Sequence, residues 1–316
     1  MRSKVTRHRT NTTGAAIHAW ASTLRTTLNA LHTLKSIPAV ASFPIYGPSL
    51  TEQPAYAALG DIGTLIDRGN LHNYFAGRPP GTPGWGTDGY GSIDWNLRNI
   101  RPYSGGKPIV TTETGYTDDP RQPGHVPAAA AAIYMPRVVL EQFRLGIART
   151  YIYELCDLPA AGGVDVGYGL LLRDGTPKPA FRSLANLLAL LADPGAPFTV
   201  TPLARIVSGG GPDLRQMAFA KRDGSYHLAL WLESAVYDVD RAATLAVVPQ
   251  TITVTLPSTL QAIASRQWNA DGTVATTPLT ARSATVSVNV SERLLMLELR
   301  NTPPGAPTNL RVRPNP

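Results

Sequence analysis

The chain has 316 residues, of which 43% are hydrophobic and 16% are charged, with a formal net charge of +7. A chain of this length can form one large domain or two ordinary ones, and no run of about 18 apolar residues predicts a membrane span. Apart from an N-terminal cluster the basic residues are scattered, and no stripe of aromatic and basic side chains predicts nucleic-acid binding.

The first 195 residues alternate between apolar runs of strand length and stretches of helical period. The predicted strands are residues 37–46, 69–75, 107–116 and 150–156. The predicted helices are residues 14–35, 54–65, 93–100, 127–146 and 179–191. Residues 76–91 are rich in glycine and proline and predict a long loop. Such alternation is typical of parallel strands joined by crossover helices.

The segment 107–116 carries the strongest functional signal in the chain. Ile109 and Val110 form a short apolar run, and Glu113 follows it immediately before Gly115. This order predicts a buried parallel strand that presents a carboxylate at its C-terminal tip. In α/β sheets that tip is where ligands and catalytic groups sit. The alternative is a surface glutamate that opens a loop.

After residue 197 the pattern changes from helical period to strict alternation. The predicted strands here are residues 216–221, 226–231, 251–256, 285–290 and 294–299. About six to eight short strands over about a hundred residues are typical of an antiparallel sandwich. We therefore predict an α/β region over residues 1–195, an all-β region over residues 196–300, and a linker or the start of a further module over residues 301–316.

Cysteine and histidine usage argues against disulfide and metal chemistry. Cys156 is the single cysteine, so no internal disulfide can form, and the apolar run around it predicts a buried thiol. The six histidines show no metal-ligand spacing, so neither a zinc site nor a cofactor is expected. Residues 1–13 are basic, and no apolar stretch of signal-peptide length follows them.

Five motifs follow one another in the first region. They are Gly47-Pro-Ser-Leu50, Leu71-His-Asn-Tyr74, Thr112-Glu-Thr-Gly115, Thr150-Tyr-Ile-Tyr-Glu-Leu155 and Gly169-Leu-Leu-Leu-Arg-Asp-Gly-Thr-Pro-Lys-Pro-Ala180. In this order they resemble the C-terminal half of a clan A retaining glycoside hydrolase, a (β/α)8 barrel, followed by its accessory β-sandwich. The resemblance implies a partial barrel of about four βα units. Residues 303–312 resemble the first strand of a fibronectin type III module.

The resemblance also implies roles for individual residues. Glu113 takes the place of the nucleophile, and the alternative is a carboxylate with no reaction left to run. Tyr74 would hydrogen-bond that carboxylate and His72 would line the sugar subsite, although both also fit a packed strand. Trp85 and Tyr90 would offer aromatic faces to pyranose rings, or they anchor the loop that carries them.

One departure from the family pattern concerns the second carboxyl group, which retaining chemistry places about 5–5.5 Å from the nucleophile. In the family it is the Glu of an Asn-Glu pair on the fourth strand, whereas here no acidic residue precedes Glu52. Glu154, also a candidate substrate-binding residue, or Asp157 could substitute if burial raised its pKa. The alternatives are side chains that point outward or pair with an arginine. A truncated or reduced barrel of this kind is expected to be weakly active or inactive.

The sequence therefore predicts a glycoside hydrolase-like protein that acts on an oligo- or polysaccharide through Glu113. The alternative is a noncatalytic carbohydrate-binding or adhesion module. Trp95 is interpreted as a core residue, and Asp118 and Asp119 as turn residues. An extracellular location is expected for the full-length family member. Four parallel strands would leave two open edges, so self-association is expected.

Overall fold

The computed structural model of the protein describes residues 14–86, 88–159, 166–279 and 284–302. They belong to two compact units. The first is drawn from residues 1–184, 235–245 and 270–272, and the second from residues 185–234, 246–269 and 273–316. In the described ranges, no helix is long and apolar enough to cross a membrane. The predicted start of a fibronectin-like strand, at residues 303–312, lies outside these ranges.

The first unit contains a parallel sheet with helices between its strands. The strands are β1 (Gly69–His72), β2 (Ile109–Thr114) and β3 (Arg149–Ile152), in the order β1-β2-β3. The helices are α1 (Gly14–Leu34), α2 (Gln53–Leu59), α3 (Ile93–Ile100), α4 (Ala128–Arg144) and α5 (Pro179–Leu191), whose last residues belong to the second unit. The alternation of helices and parallel strands agrees with the sequence prediction.

Two boundary predictions in this unit are wrong. Residues 37–46 do not form a strand, because residues 35–42 turn and only Tyr46 makes a single parallel bridge, to Arg68. The helix predicted to reach residue 65 ends at Leu59, since Gly60 takes a positive φ of 67° that stops it. The sheet therefore has three strands where the sequence predicted four.

The strand predicted over residues 150–156 is also too long. It ends at Ile152, and Cys156 makes only an isolated bridge to Leu171. Cys156 is exposed, so the prediction of a buried thiol is wrong. Its neighbour Leu155 is 62% exposed. Both residues lie where the chain has already left the parallel sheet, since β3 ends at Ile152.

The core of the first unit lies between the sheet and its helices. Strands β1 and β2 are buried along most of their length, whereas the residues of β3 are only half-buried or exposed. The core residues include Leu71 of β1, Ile100 of α3 and Met135 and Val138 of α4. Ser92 caps α3, because its Oγ accepts a hydrogen bond of 3.0 Å from the backbone N–H of Trp95. The buried strands thus hold their C-terminal ends in fixed positions.

The second unit is built from antiparallel sheets. A five-stranded sheet has the order β11 (Val274–Pro278), β10 (Leu260–Trp268), β13 (Leu295–Asn301), β6 (Tyr226–Leu232) and β5 (Leu214–Ala220). A three-stranded sheet has the order β12 (Thr285–Val290), β9 (Gln250–Thr255) and β4 (Ile206–Ser208). Alternate apolar residues of both sheets form one core, among them Leu230, Ile252 and Leu297. A short pair, β7 (Tyr237–Asp238) and β8 (Ala243–Thr244), belongs to the first unit.

Candidate active site

The candidate site lies at the C-terminal ends of β1 and β2. These strands are parallel, and the register places His72 directly opposite Glu113. Both residues therefore come to the same edge of the sheet, as the sequence order predicted for Glu113. The side chain of Glu113 keeps 36% of its surface exposed. Its carboxylate is thus held by the sheet and still open to a ligand.

Two side chains from the β1 segment contact one oxygen of that carboxylate. The Tyr74 hydroxyl donates a hydrogen bond of 3.2 Å to Glu113 Oε2. The Nδ1 atom of His72 lies 3.3 Å from the same oxygen. The backbone N–H of Asn73 donates to the backbone oxygen of Glu113 at 3.0 Å, which ties the end of the first segment to the second.

A hydrogen-bond chain fixes the tautomer of His72. Asn70 Oδ1 accepts from the backbone N–H of Thr112 at 3.2 Å and from its hydroxyl at 2.8 Å. Because the Thr112 hydroxyl donates its one hydrogen to Asn70, its oxygen accepts a hydrogen bond from His72 Nε2, 2.9 Å away. The neutral His72 ring consequently has its proton on Nε2, and its Nδ1 offers no hydrogen to Glu113.

Burial shifts the pKa values of both partners of Glu113 in the direction that keeps them neutral. Burial lowers the pKa of His72, and the charge of Glu113 opposes this effect. Burial also raises the pKa of Tyr74, and the nearby Glu113 carboxylate raises it further. Glu113 therefore meets one neutral hydrogen-bond donor, Tyr74, and one neutral imidazole. Neither partner compensates its negative charge with a full positive charge at neutral pH.

A cleft of about 290 Å³ is lined by His72 and Tyr74, the two partners of Glu113, whereas Glu113 itself is not among its lining residues. Aromatic side chains form much of its wall. Tyr90 contacts Trp85 with ring centroids 5.5 Å apart and Trp95 with centroids 4.8 Å apart, both edge to face. Gly91 lies so close to Trp85 that a Cβ atom there would fall 2.1 Å from its ring. The loop between β1 and α3 is therefore packed around these rings.

Four of the five residues predicted to bind substrate line this cleft, namely His72, Tyr74, Trp85 and Tyr90. Glu154 is half-buried just beyond β3, where its backbone N–H and C=O pair with Tyr168 and Leu170. The further lining residues were not predicted as site residues, and they include Trp95, Tyr168 and Asn73. Trp95, interpreted as core, is buried and lines the cleft as well, while Tyr168 and Asn73 had been assigned no role from the sequence.

A lysine holds one acidic residue after β2 and one after β3. Lys178 Nζ lies 2.8 Å from Asp118 Oδ1 and 2.8 Å from Asp157 Oδ2. Asp157 is thus an ion-pair partner, with lysine where the sequence suggested arginine, and Asp118 is more than a turn residue. Asp119 pairs with Arg121 instead. Among the described residues, no three His, Cys, Asp or Glu side chains are arranged to hold a metal ion.

No protein-family model matches the chain, and no curated protein is similar to it in sequence. Among solved structures it is similar to a family 39 glycoside hydrolase from the gut symbiont Bacteroides cellulosilyticus WH2, with 20% identity and a TM-score of 0.48 over 75% of this chain and 45% of that chain.

Two further solved structures show a similar degree of likeness. The GH51 arabinofuranosidase from Xanthomonas axonopodis pv. citri has 16% identity and a TM-score of 0.47 over 81% of this chain and 57% of that chain. A glucosidase from Croceicoccus marinus has 12% identity and a TM-score of 0.47 over 74% of this chain and 53% of that chain. The chain thus spans about half the length of these glycoside hydrolases.

Proposed function

We propose that the protein performs retaining glycoside chemistry, in which the Glu113 carboxylate attacks the anomeric carbon of a bound sugar and forms a covalent glycosyl intermediate. The observation that supports this most directly is the hydrogen bond of 3.2 Å that the Tyr74 hydroxyl donates to Glu113 Oε2. A carboxylate that is oriented by a neutral donor keeps the negative charge that a nucleophile needs.

The cleft supports a carbohydrate as the substrate. Pyranose rings present apolar C–H faces, which pack against aromatic side chains such as Trp85 and Tyr90.

Retaining hydrolysis also needs a general acid to protonate the leaving oxygen. Asp157 is bound to Lys178, so Glu154 is the remaining sequence candidate for that role. Because the acid/base Glu of the family pattern is absent from this chain, hydrolysis of an unactivated glycan is expected to be slow.

We also propose the wider architecture that the motifs imply. In it, residues 1–195 correspond to the C-terminal half of a (β/α)8 barrel, and residues 196–300 to an accessory β-sandwich. The half-buried to exposed edge strand β3 supports self-association of such a half-barrel. Size-exclusion chromatography tests this part, because a monodisperse monomer at all concentrations would contradict it. An extracellular site of action remains part of this proposal.

The nucleophile can be tested separately from the acid. A dinitrophenyl deoxyfluoro-glycoside loses its leaving group without protonation, and the fluorine slows breakdown of the intermediate. We expect a panel of such compounds, differing in the sugar, to contain one that adds one glycosyl mass to the protein. Peptide mapping should place that mass on Glu113, and Glu113→Gln should abolish it.

The competing function is noncatalytic carbohydrate binding, and the aromatic wall of the cleft is the observation that favours it. The same panel separates the two. Saturable binding of a glycoside without any covalent mass would contradict the enzyme function and support a noncatalytic binding module. Neither labelling nor binding across the panel would contradict both functions.

A further inference from the structure

We propose that Lys178 is a positioning residue for the nucleophile, because it fixes the segment that holds Tyr168 against Tyr74 and so orients the hydrogen bond from Tyr74 to Glu113. This inference rests on the proposed function and adds to it a residue outside the cleft. In the part of the chain that the structure describes, the side chain of Lys178 pairs with Asp118, Asp157 and Gly167 and not with Glu113, so its effect would pass through these two tyrosines.

Lys178 is buried at the meeting point of three segments. It is only 6% exposed, and its Nζ contacts Asp118 after β2 and Asp157 after β3, both at 2.8 Å. The same Nζ donates a longer hydrogen bond of 3.4 Å to the backbone oxygen of Gly167. One ammonium group thus joins the loops after two neighbouring strands to the segment before α5.

The residues on both sides of Tyr168 are anchored by this cluster. The backbone N–H of Asp118 donates to Gly167 O at 3.0 Å, and Asp157 Oδ1 accepts from the backbone N–H of Gly169 at 2.8 Å. Gly167 has a positive φ of 78°, and a Cβ atom there would lie 2.6 Å from the backbone nitrogen of Asp119. The backbone at Tyr168 is therefore closely constrained.

Tyr168 transmits this constraint to the nucleophile. Its ring meets the Tyr74 ring edge to face, with centroids 5.6 Å apart and an interplanar angle of 80°. The Tyr74 hydroxyl is the group that donates to Glu113 Oε2. Misplacing a reacting group by about 1 Å can cost about 10²-fold in rate. A shift of Tyr168 would therefore move the Tyr74 ring and change the hydrogen bond that Tyr74 donates to the Glu113 carboxylate.

The charges of the cluster explain why Lys178 is needed at this place. Two carboxylates share one buried ammonium group, and burial raises the pKa of Asp118 while the hydrogen bond from Lys178 opposes the rise. Without the lysine, Asp118 and Asp157 would face each other as like charges. We expect the two loops to separate and the segment with Tyr168 to move with them.

The test compares Lys178→Met with Lys178→Arg and with Lys35→Met as a matched control. Lys35 forms a 2.7 Å ion pair with Asp67 before β1, and neither residue lines the cleft. The readout is the maximal labelling rate and the half-saturating concentration of the deoxyfluoro-glycoside that labels wild type, at a temperature where every variant is folded. We expect Lys178→Met to lower the maximal rate about 10- to 10²-fold, with partial recovery in Lys178→Arg and the wild-type rate in Lys35→Met.

A Lys178→Met variant that melts at a lower temperature but labels at the wild-type maximal rate would overturn the inference and leave the proposed function standing. If Lys178→Met fails to fold, Tyr168→Leu tests the same path, and an unchanged maximal rate in that variant overturns it. If wild type is not labelled by any compound, the proposed function fails and the inference fails with it.

Discussion

The two units of the molecule each contain a glutamate and a histidine paired across neighbouring strands, and the two pairs have opposite surroundings. In the first unit His72 lies opposite Glu113 in a parallel register. In the second unit His227 lies opposite Glu298 in an antiparallel register. The two glutamates differ in the groups that contact their carboxylates.

Glu298 is bound by two cations. Arg266 donates to its Oε2 at 3.0 Å and Arg300 to its Oε1 at 3.0 Å, and the residue is buried. Burial acts to raise the pKa of Glu298, but the two arginines outweigh it and lower the pKa. Glu113 has a neutral tyrosine and a neutral histidine in their place. On the proposed function, full charge compensation marks Glu298 as a structural carboxylate, whereas Glu113 receives a single hydrogen bond from a neutral donor, Tyr74.

The largest effect should come from exchanging each glutamate for glutamine. Glu113→Gln is expected to lose covalent labelling altogether, because an amide cannot form the glycosyl ester. Glu298→Gln should label at the wild-type rate, since its carboxylate is bound to Arg266 and Arg300. Intact-mass spectrometry of both variants provides the measurement. Equal loss of labelling in the two folded variants would remove the distinction between the pairs.

For the free energy of unfolding, Glu298→Gln should have the larger effect of the two substitutions. Glu298→Gln removes charge-assisted hydrogen bonds from two arginines and should lower the free energy of unfolding by about 1.5–3 kcal/mol. Glu113→Gln loses contacts with neutral partners only, so its stability should equal or exceed that of wild type. Urea unfolding measures both values. A Glu113→Gln variant that is the less stable of the two would contradict this assignment of roles.

The hydroxyl of Tyr74 should matter for labelling and that of a matched tyrosine should not. Removing a hydrogen bond to a charged group costs about 1.5–3 kcal/mol, so Tyr74→Phe should lower the maximal labelling rate about 10- to 10²-fold. Tyr226 in the second unit donates to the backbone oxygen of Thr201 at 2.9 Å, and Tyr226→Phe is the control. If the two substitutions have the same effect, the bond to Glu113 has no special role.

The smallest expected effect is a shift in pH dependence. Burial lowers the pKa of His72, so the ring stays neutral until the pH falls below its ordinary value of about 6.5. Once protonated it donates to Glu113 and weakens the nucleophile, so labelling should decline on acidification. In His72→Asn the midpoint of this decline should move to lower pH. His227→Asn should leave the profile unchanged, and a shift in that variant instead would contradict the role of His72.

Protonation of these two histidines also changes the free energy of unfolding with pH. Burial lowers the pKa of both His72 and His227 below the value of the unfolded chain. The unfolded state therefore binds protons first as the pH falls, and stability is lost from about pH 6.5 downward. Each histidine-to-asparagine variant should lose less stability than wild type over this window when urea midpoints are followed with pH.

The position of Glu113 followed from local pattern, because an apolar run that ends in a carboxylate specifies both the strand and its tip. The parallel order of β1 and β2 followed from the alternation of elements. The alternating strands of the second unit were equally accessible, as in β12 and β9. β10 was missed, since small alanines occupy two of its buried positions, Ala262 and Ala264, and weaken the apolar signal.

The remaining features depend on contacts between distant parts of the chain. The Lys178 cluster joins Asp118, Asp157 and Lys178, which are far apart in sequence and carry no common motif. The exposure of Cys156 depends on what covers the chain after β3, and the run of apolar residues around it does not reveal this. The failed strand at residues 37–46 shows the same limit, because only Tyr46 finds a partner residue to bridge.

The central claim is that Glu113 acts as a nucleophile, and the anomeric configuration of the first product tests it most directly. Proton NMR can follow a dinitrophenyl glycoside of the labelling sugar during its first turnovers. Attack by Glu113 followed by attack by water predicts a product with the configuration of the substrate. A product of inverted configuration, or retained product from Glu113→Gln at the wild-type rate, would contradict the account.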